Sequence, residues 1–149
     1  MTGLSARLAE VVDALPLREG MRVLEIGGAP GAAAREVVRR VGARGHVLVV
    51  DRSVRGVALT ERAAEDEIRL GVLSVRCAAI EDFELLPGEA PYDLAFAVRV
   101  GALDGRHPKA GTRALPRIAA ALTPRGRLLV DGGDPLREVD LTGVRQGVA

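Results

Sequence analysis

Aromatic side chains are scarce in this 149-residue chain, which contains two phenylalanines, one tyrosine and no tryptophan. A core must therefore be packed from aliphatic side chains, and the stacking platforms of single-stranded nucleic-acid binders are missing. An excess of one charge is missing as well, because 21 basic residues stand against 20 acidic ones. With no obvious basic face, the sequence predicts no nucleic-acid partner.

Cysteine and long apolar runs are also in short supply. Cys77 is the single cysteine, which excludes an intramolecular disulfide and a CxxC metal site. No apolar stretch approaches ~18 residues, and the N-terminus (MTGLSARLAE) lacks a signal-peptide pattern. We therefore expect a soluble cytoplasmic protein with no metal centre and no membrane contact, in which residues 1–149 form one domain.

Helical and strand-like patterns alternate along the chain. Leucine and valine recur at helical spacing in the first 15 residues, with Thr2 or Ser5 as cap, so 1–20 is predicted to be a helix and linker. The other predicted helices are 32–41, 54–70 and 112–122, and the predicted strands are 21–26, 46–50, 73–77, 92–98 and 127–130. Such alternation predicts an α/β domain with a mainly parallel sheet, in which ligands bind beyond the carboxyl ends of the strands.

The segment VLEIGGAPG (23–31) has the order strand, small-residue turn, helix start. Amide groups in the first turn of a helix have no partner within the helix, so they can face a ligand. Glycine permits positive φ and keeps Cβ atoms away from that ligand. The alternative is an ordinary β–α turn in which the glycines serve geometry alone.

Asp51 ends the second predicted strand, about 20 residues beyond this turn. An acid in that place can accept hydrogen bonds from ribose hydroxyls, which is the shared logic of adenosine recognition. The alternative is an acid favoured by the dipole of the helix that follows.

Together these segments resemble the class I S-adenosylmethionine-dependent methyltransferases. Their first motif is roughly hydrophobic-Asp/Glu-hydrophobic-Gly-x-Gly-x-Gly, and VLEIGGAPG follows it except that Ala29 replaces the middle glycine. The resemblance continues through Asp51, through Tyr92-Asp93-Leu94 and through LTPRGRLLV (122–130), covering about residues 4–131. It implies a three-layer sandwich with a doubly wound, Rossmann-like sheet of about five or six strands, and S-adenosylmethionine as cofactor.

The resemblance also implies roles for single residues. Gly27 and Gly28 would pass beside the methionine part of the cofactor, and Glu25 would bind near its amino group, directly or through water. Asp51 would hold the ribose hydroxyls, and Arg52 would lie along the adenine. The full implied set is Glu25, Gly27, Gly28, Ala29, Gly31, Asp51, Arg52, Ala79, Ile80 and Glu81.

The chain departs from the family pattern after the third strand. The family often has an acid there for the adenine amino group, but Ala78 and Ala79 stand in its place. Glu81, Asp82 or a backbone carbonyl could substitute. Beyond the cofactor-binding core (21–131), the tail 132–149 is expected to hold at most one short strand, at 136–141, so the C-terminal hairpin is reduced.

A nicotinamide dinucleotide is the rival cofactor. Its GxGxxG pattern would fall on Gly27, Ala29 and Ala32, so two of three glycines are missing. Glu25 would also bring a carboxylate towards the pyrophosphate, which favours S-adenosylmethionine instead.

Methyl transfer is an in-line displacement, so the protein chiefly aligns the acceptor with the methyl carbon. A base is required only if the acceptor must lose a proton. Arg99 and His107 are the polar residues best placed to reach an acceptor, although Arg99 could pair with a carboxylate and His107 could be an exposed loop residue. We expect a methyltransferase with a small-molecule acceptor, with a homodimer left open; the alternative is a non-catalytic cofactor-binding module or partner subunit.

Overall fold

One six-stranded sheet organises the molecule, and the computed structural model describes residues 3–146 of it. The strands lie in the order β3-β2-β1-β4-β5-β6; β1 to β5 are parallel to one another, and β6 is antiparallel to β5. The strands are β1 Arg22–Ile26, β2 His46–Asp51, β3 Leu73–Cys77, β4 Tyr92–Ala97, β5 Leu122–Asp131 and β6 Leu136–Val139. The helices are α1 Ala6–Ala14, α2 Ala32–Val41, α3 Val54–Ala63, α4 Glu65–Arg69, α5 Pro108–Ala121 and α6 Thr142–Gln146. The predicted α/β class with a mainly parallel, doubly wound sheet is confirmed.

Hydrophobic side chains fill both faces of the sheet. On β2, Val47 and Val49 join the cluster that contains residues of α1 and α2, whereas Leu48 and Val50 join the cluster that contains residues of α5. The continuous apolar run HVLVV therefore belongs to a strand covered on both sides, as its composition predicted.

The predicted helix 54–70 is wrong in one respect, because it is divided into α3 and α4 at Ala64. Ala64 is fully buried in the core, and its backbone (φ −107°, ψ 25°) departs from the helical region. Glu65, Asp66 and Glu67 follow directly and occupy the first turn of α4. Acidic residues stabilise a helix N-terminus, so this run favours a new helix at that point.

α5 begins at Pro108, four residues before the predicted start. Proline is well accommodated in the first turn of a helix because its missing N–H would have no helical partner there. Pro116 lies inside the helix, and its side chain is exposed, so it places no ring in the core. α5 continues past Pro116 to Ala121, as the predicted helix 112–122 implies.

The ends of the chain differ in detail from the expectation. Ser5 caps α1 by accepting a 3.1 Å hydrogen bond from the N–H of Leu8, and the other candidate cap, Thr2, lies outside the described residues. In the tail, the expected short strand β6 is present, but α6 follows it. β5 begins at Leu122, five residues before the predicted strand 127–130, and residues 123–126 separate the pair Tyr92–Leu122 from the pair Leu94–Arg127. None of the helices in the described part of the chain is both long and apolar enough to cross a membrane.

Candidate cofactor site

The order of the strands reverses at β1, which is flanked by β2 on one side and β4 on the other. Parallel α/β sheets bind ligands in the crevice that opens at the carboxyl ends of the strands at such a point. Here a cleft of about 790 Å³ lies in that place, lined by the ends of β1 and β2, by residues after β3 and by the segment between β4 and α5. A volume of this size is typical of pockets for small ligands.

Sequence-predicted residues fall into two groups with respect to this cleft. Those that line it are Gly27, Asp51, Arg52, Ile80, Glu81, Arg99 and His107. Those outside its lining are Glu25, Gly28, Ala29, Gly31 and Ala79. The second group lies mostly in and before the turn: Glu25 is the acid of β1, and Gly28, Ala29 and Gly31 belong to the turn that follows it.

The glycines of the turn have structural reasons of their own. Gly27 has φ +69°, and a Cβ atom on it would lie 2.8 Å from Cγ2 of Val100. Gly31 has φ +98°, and its Cβ would lie 2.9 Å from Cγ2 of Thr60. Backbone geometry and packing thus both demand glycine here, and the exposed backbone of Gly27 remains open to the cleft.

Glu25 is a buried carboxyl group with an incomplete set of partners. Its side chain is 5% exposed, and Oε1 accepts no hydrogen bond from any residue that the structure describes. The carboxyl group contacts the backbone of Gly28, where a Cβ atom would overlap it. Burial, and to a smaller extent the charge of Asp51, raise the pKa of Glu25 to about 8, against the opposing effect of the N–H of Ala34. A buried acceptor of this kind is suited to a ligand that brings a donor or a positive charge.

Asp51 joins the turn to the start of α3. Its Oδ2 accepts a 3.1 Å hydrogen bond from the N–H of Ala29, and its Oδ1 accepts a 2.9 Å hydrogen bond from the N–H of Ser53. Ser53 in turn caps α3 by accepting from the N–H of Gly56. Each carboxylate oxygen can accept a second hydrogen bond, so the structural role leaves room for ribose hydroxyls.

The residues after β3 form the other wall of this end of the cleft. Ile80 is buried at the start of a short 3₁₀ turn (Ile80–Asp82) and gives the cleft an apolar surface. Glu81 and Asp82 were two of the candidates to replace the acid that the family often has after the third strand for the adenine amino group. Glu81 lines the cleft, whereas Asp82 forms a 2.7 Å ion pair with Arg113 of α5.

Arg99 stands on a backbone held in an uncommon conformation, with φ +59°. Its N–H donates to Oδ1 of Asp131 (3.2 Å), and its carbonyl accepts from Nη2 of Arg106 (2.9 Å). The alternative role for Arg99, pairing with a carboxylate, is limited to this backbone hydrogen bond. Within residues 3–146, its guanidinium group makes no hydrogen bond or ion pair. Arg106 also forms a 2.8 Å ion pair with Asp104.

His107 lies at the N-cap of α5 and is exposed. Its ring packs beside Gly101, where a Cβ atom would overlap ring atom Cδ2. No carboxylate among the described residues orients the imidazole ring, unlike in most histidine bases. Arg106 and Lys109 line the cleft beside it but were not singled out from the sequence, although they belong to the same polar segment, GALDGRHPKAG.

A doubly wound sheet with a cleft at the reversal of strand order, and an acid at the end of β2, is the arrangement of α/β proteins that bind nucleotide-like cofactors. A family model described as a methyltransferase domain matches residues 23–126, which is more than half of the chain. The chain belongs to the class I S-adenosylmethionine-dependent methyltransferase family.

Individual relatives are consistent with that family. The chain is 34% identical over 140 residues to a protein-L-isoaspartate O-methyltransferase of Methylorubrum extorquens. The matched stretch covers 94% of this chain and 54% of that protein. It is 31% identical over 117 residues to ribosomal RNA large subunit methyltransferase E of Sorangium cellulosum, which covers 78% of this chain and 51% of that protein. A solved structure of a protein-L-isoaspartate O-methyltransferase has a TM-score of 0.60 and 30% identity, over 83% of this chain and 35% of the other. This chain spans about half the length of the two curated relatives.

Proposed function

We propose that this chain binds S-adenosylmethionine in the cleft and transfers its methyl group to a small-molecule acceptor. The observation that carries the proposal is the position of Asp51. Two backbone N–H groups hold its carboxylate at the end of β2, and the side chain still lines the cleft at the point where strand order reverses. A carboxylate placed in this way matches the ribose hydroxyls of an adenosine cofactor.

The surrounding residues suit the other parts of this cofactor. Ile80 offers an apolar wall to the adenine, with Arg52 and Glu81 beside it. The exposed backbone of Gly27 leaves space for the methionine part. Glu25 has an unpartnered buried oxygen behind the same turn, which suits the positive amino group of a methionine moiety, directly or through water.

When bound, the cofactor supplies a methyl group on a sulfonium, which a nucleophile can take in an in-line displacement. The protein then has to hold the acceptor in line and keep it close to the methyl carbon. In this proposal Arg99 and His107 face the acceptor, because they line the cleft on the side of β4 and α5. His107 lacks an orienting partner among the described residues, so the proposal favours an acceptor that is already nucleophilic at neutral pH.

The class of acceptor is argued from the size of the cleft. Relatives carry names that refer to isoaspartyl protein and to ribosomal RNA, and this chain spans about half of their length. The small acceptor is favoured by the size of the cleft, about 790 Å³, which has to hold the cofactor as well. Isoaspartyl peptide and RNA fragments belong in the acceptor panel as competing substrates.

Two measurements test the proposed function. Calorimetry on the wild-type chain is expected to show saturable binding of S-adenosylmethionine and S-adenosylhomocysteine, and much weaker binding of NAD. Incubation with methyl-labelled cofactor and an acceptor panel is expected to yield labelled product. Tighter binding of NAD would overturn the cofactor assignment, whereas cofactor binding without transfer to any acceptor class would favour the non-catalytic binding module.

A further inference from the structure

The charges that line the cleft are divided between its two ends. Asp51 and Glu81 lie at the end formed by β2 and the segment after β3, together with the basic Arg52, so the lining of that end carries one net negative charge. The basic residues Arg99, Arg106 and Lys109 lie at the end formed by β4 and α5, together with His107. One cleft thus presents surfaces of opposite sign to the two ends of whatever it holds.

Two of these basic side chains, Arg99 and Lys109, form no ion pair with the described acids near them. Asp104 is engaged by Arg106 at 2.8 Å, so that pair carries little net charge. Asp131 accepts the backbone N–H of Arg99 and keeps its negative charge, which also acts on Arg106. The side chains of Arg99 and Lys109 have no ion pair or hydrogen bond with any residue between 3 and 146.

Arg99 is also held in place by its surroundings. A non-glycine residue at φ +59° is strained, and such strain persists where neighbouring groups fix the backbone. Here Asp131 binds the N–H of Arg99 and Arg106 binds its carbonyl. The segment is therefore built to keep a guanidinium group at the wall of the cleft, and a guanidinium is the side chain best suited to bidentate recognition of carboxylate or phosphate.

We infer that the β4–α5 end of the cleft binds an anionic group, a carboxylate or a phosphate, on the methyl acceptor. Arg99 and Lys109 contact that group, and the Arg106–Asp104 pair holds Arg99 in position. This inference rests on the proposed function, because it assigns the acceptor end of the same cleft. It restricts the acceptor to molecules that carry a negative charge near the methylated atom.

The test uses the full chain saturated with S-adenosylhomocysteine. Inorganic phosphate, and separately acetate, is titrated in at constant ionic strength while backbone amide NMR shifts are followed. Saturable shifts are expected at residues 99–110 and not at residues 78–82. The double variant Arg99→Gln/Lys109→Gln is expected to bind each anion about tenfold more weakly, because two exposed charge contacts are lost.

The matched control is Arg125→Gln. Arg125 is exposed near the amino end of β5, away from the cleft, and no acid within the described residues pairs with it. Anion binding by this variant is expected to equal that of the wild type. Shifts that do not saturate would show that net charge alone attracts the anions, and so would a control that loses as much binding free energy per charge removed as the double variant. Either result would overturn the inference.

The cofactor has a carboxylate of its own, which Arg99 and Lys109 could bind in place of an anionic group on the acceptor. A further comparison separates these two cases. The affinity of the double variant for S-adenosylhomocysteine is expected to stay within about twofold of the wild-type value. If that affinity falls while binding of 5′-methylthioadenosine, which lacks the amino-acid part, is unchanged, the cations serve the cofactor and the inference fails. If the wild type binds no S-adenosylhomocysteine at all, the proposed function fails and the inference falls with it.

Discussion

Both carboxylate oxygens of Asp51 accept backbone N–H groups, one from Ala29 in the turn and one from Ser53 before α3. The two alternatives open at the sequence level, a ribose ligand and an acid at the start of a helix, are therefore compatible on one side chain. The helix role is visible in the structure, and the ribose role remains a prediction. Substitution of Asp51 should consequently change both stability and cofactor affinity.

For Asp51→Ala, we expect the free energy of unfolding to fall by ~1–3 kcal/mol, because two N–H groups lose their acceptor. Affinity for S-adenosylhomocysteine should fall by roughly tenfold to a hundredfold, the equivalent of one charge-assisted hydrogen bond or more. Asp51→Asn should lose less stability and less affinity, since its side chain keeps one oxygen that can accept a hydrogen bond. Urea unfolding and calorimetry on the same preparations measure the two effects.

Asp140 provides the control for this substitution. It precedes α6 and accepts a 2.9 Å hydrogen bond from the N–H of Thr142, so it is a helix-start acid away from the cleft. Asp140→Ala should lower stability and leave cofactor affinity unchanged. If Asp51→Ala behaves in the same way, Asp51 has no part in the binding site.

Glu25 predicts a dependence of stability on pH. Its folded pKa of about 8 lies above the ordinary value of 4.5, so the folded chain holds a proton that the unfolded chain loses. This group therefore favours folding most below about pH 4.5, and that contribution is lost as the pH rises towards 8. Glu25→Gln removes the titration, so the stability of the variant relative to wild type should increase between pH 5 and pH 8, by an amount on the order of a few kcal/mol.

The same carboxyl group gives a test that involves the ligand. If the positive amino group of the cofactor pairs with the ionised form of Glu25, affinity for S-adenosylhomocysteine should rise with pH up to about 8, because more of the free protein then carries the carboxylate. Affinity for 5′-methylthioadenosine, which lacks that amino group, should stay flat. Parallel profiles for the two ligands would contradict this role of Glu25.

At the level of single elements, the turn after β1 is constrained twice, by the positive φ of Gly27 and by contact with Val100. Gly27→Val should therefore lower stability as well as block the cleft, and its effect on binding alone would be ambiguous. The informative pair is Gly27→Ala with and without Val100→Ala. The second substitution should restore part of the stability, because it removes the Cγ2 atom 2.8 Å from the added Cβ.

Cofactor binding distinguishes the two views of that turn. If backbone at Gly27 approaches the ligand, the Gly27→Ala/Val100→Ala chain should be folded by circular dichroism and still bind S-adenosylhomocysteine more weakly than Val100→Ala alone. Equal affinities would leave the turn with a geometric role only.

The elements most accurately predicted from sequence are those whose ends are set by residues next to them in the chain. α2 and β3 have the predicted bounds, and α2 ends where Gly42 takes φ +75°. The division at Ala64 was missed because it depends on burial of a small side chain in the core, which helical spacing does not show. The early start of α5 was missed because Pro108 looks like part of a loop until its place in a first turn is known.

The candidate site could be predicted only in part, because some of its residues are brought together by contacts that no sequence pattern shows. Asp51 and the turn are marked by strand ends, which follow from the apolar pattern. The basic end of the cleft depends on how the segment after β4 folds back, with Arg106 donating to the carbonyl of Arg99. No periodicity in the sequence specifies that contact, so Arg106 and Lys109 became candidates only in the structure.

For the molecule as a whole, the cleft lies between segments that are far apart in sequence, from Ile26 to Ala110. A ligand that contacts all of them binds the folded chain and not the unfolded one. Mass action then stabilises the fold in proportion to the logarithm of ligand concentration. Thermal unfolding of the full chain is thus a test of the site that needs no knowledge of the acceptor.

At a concentration about 100 times its dissociation constant, S-adenosylhomocysteine should stabilise the wild-type chain by ~2.7 kcal/mol. For a domain of about 150 residues this corresponds to a rise in Tm of about 5–10 °C. The same concentration of NAD should give a much smaller rise, because Glu25 and the missing glycines disfavour a dinucleotide. Asp51→Ala should cut the rise to about half or less, since tenfold weaker binding leaves ~1.4 kcal/mol. A full rise in Tm for Asp51→Ala would place the ligand away from the end of β2, even with the family assignment unchanged.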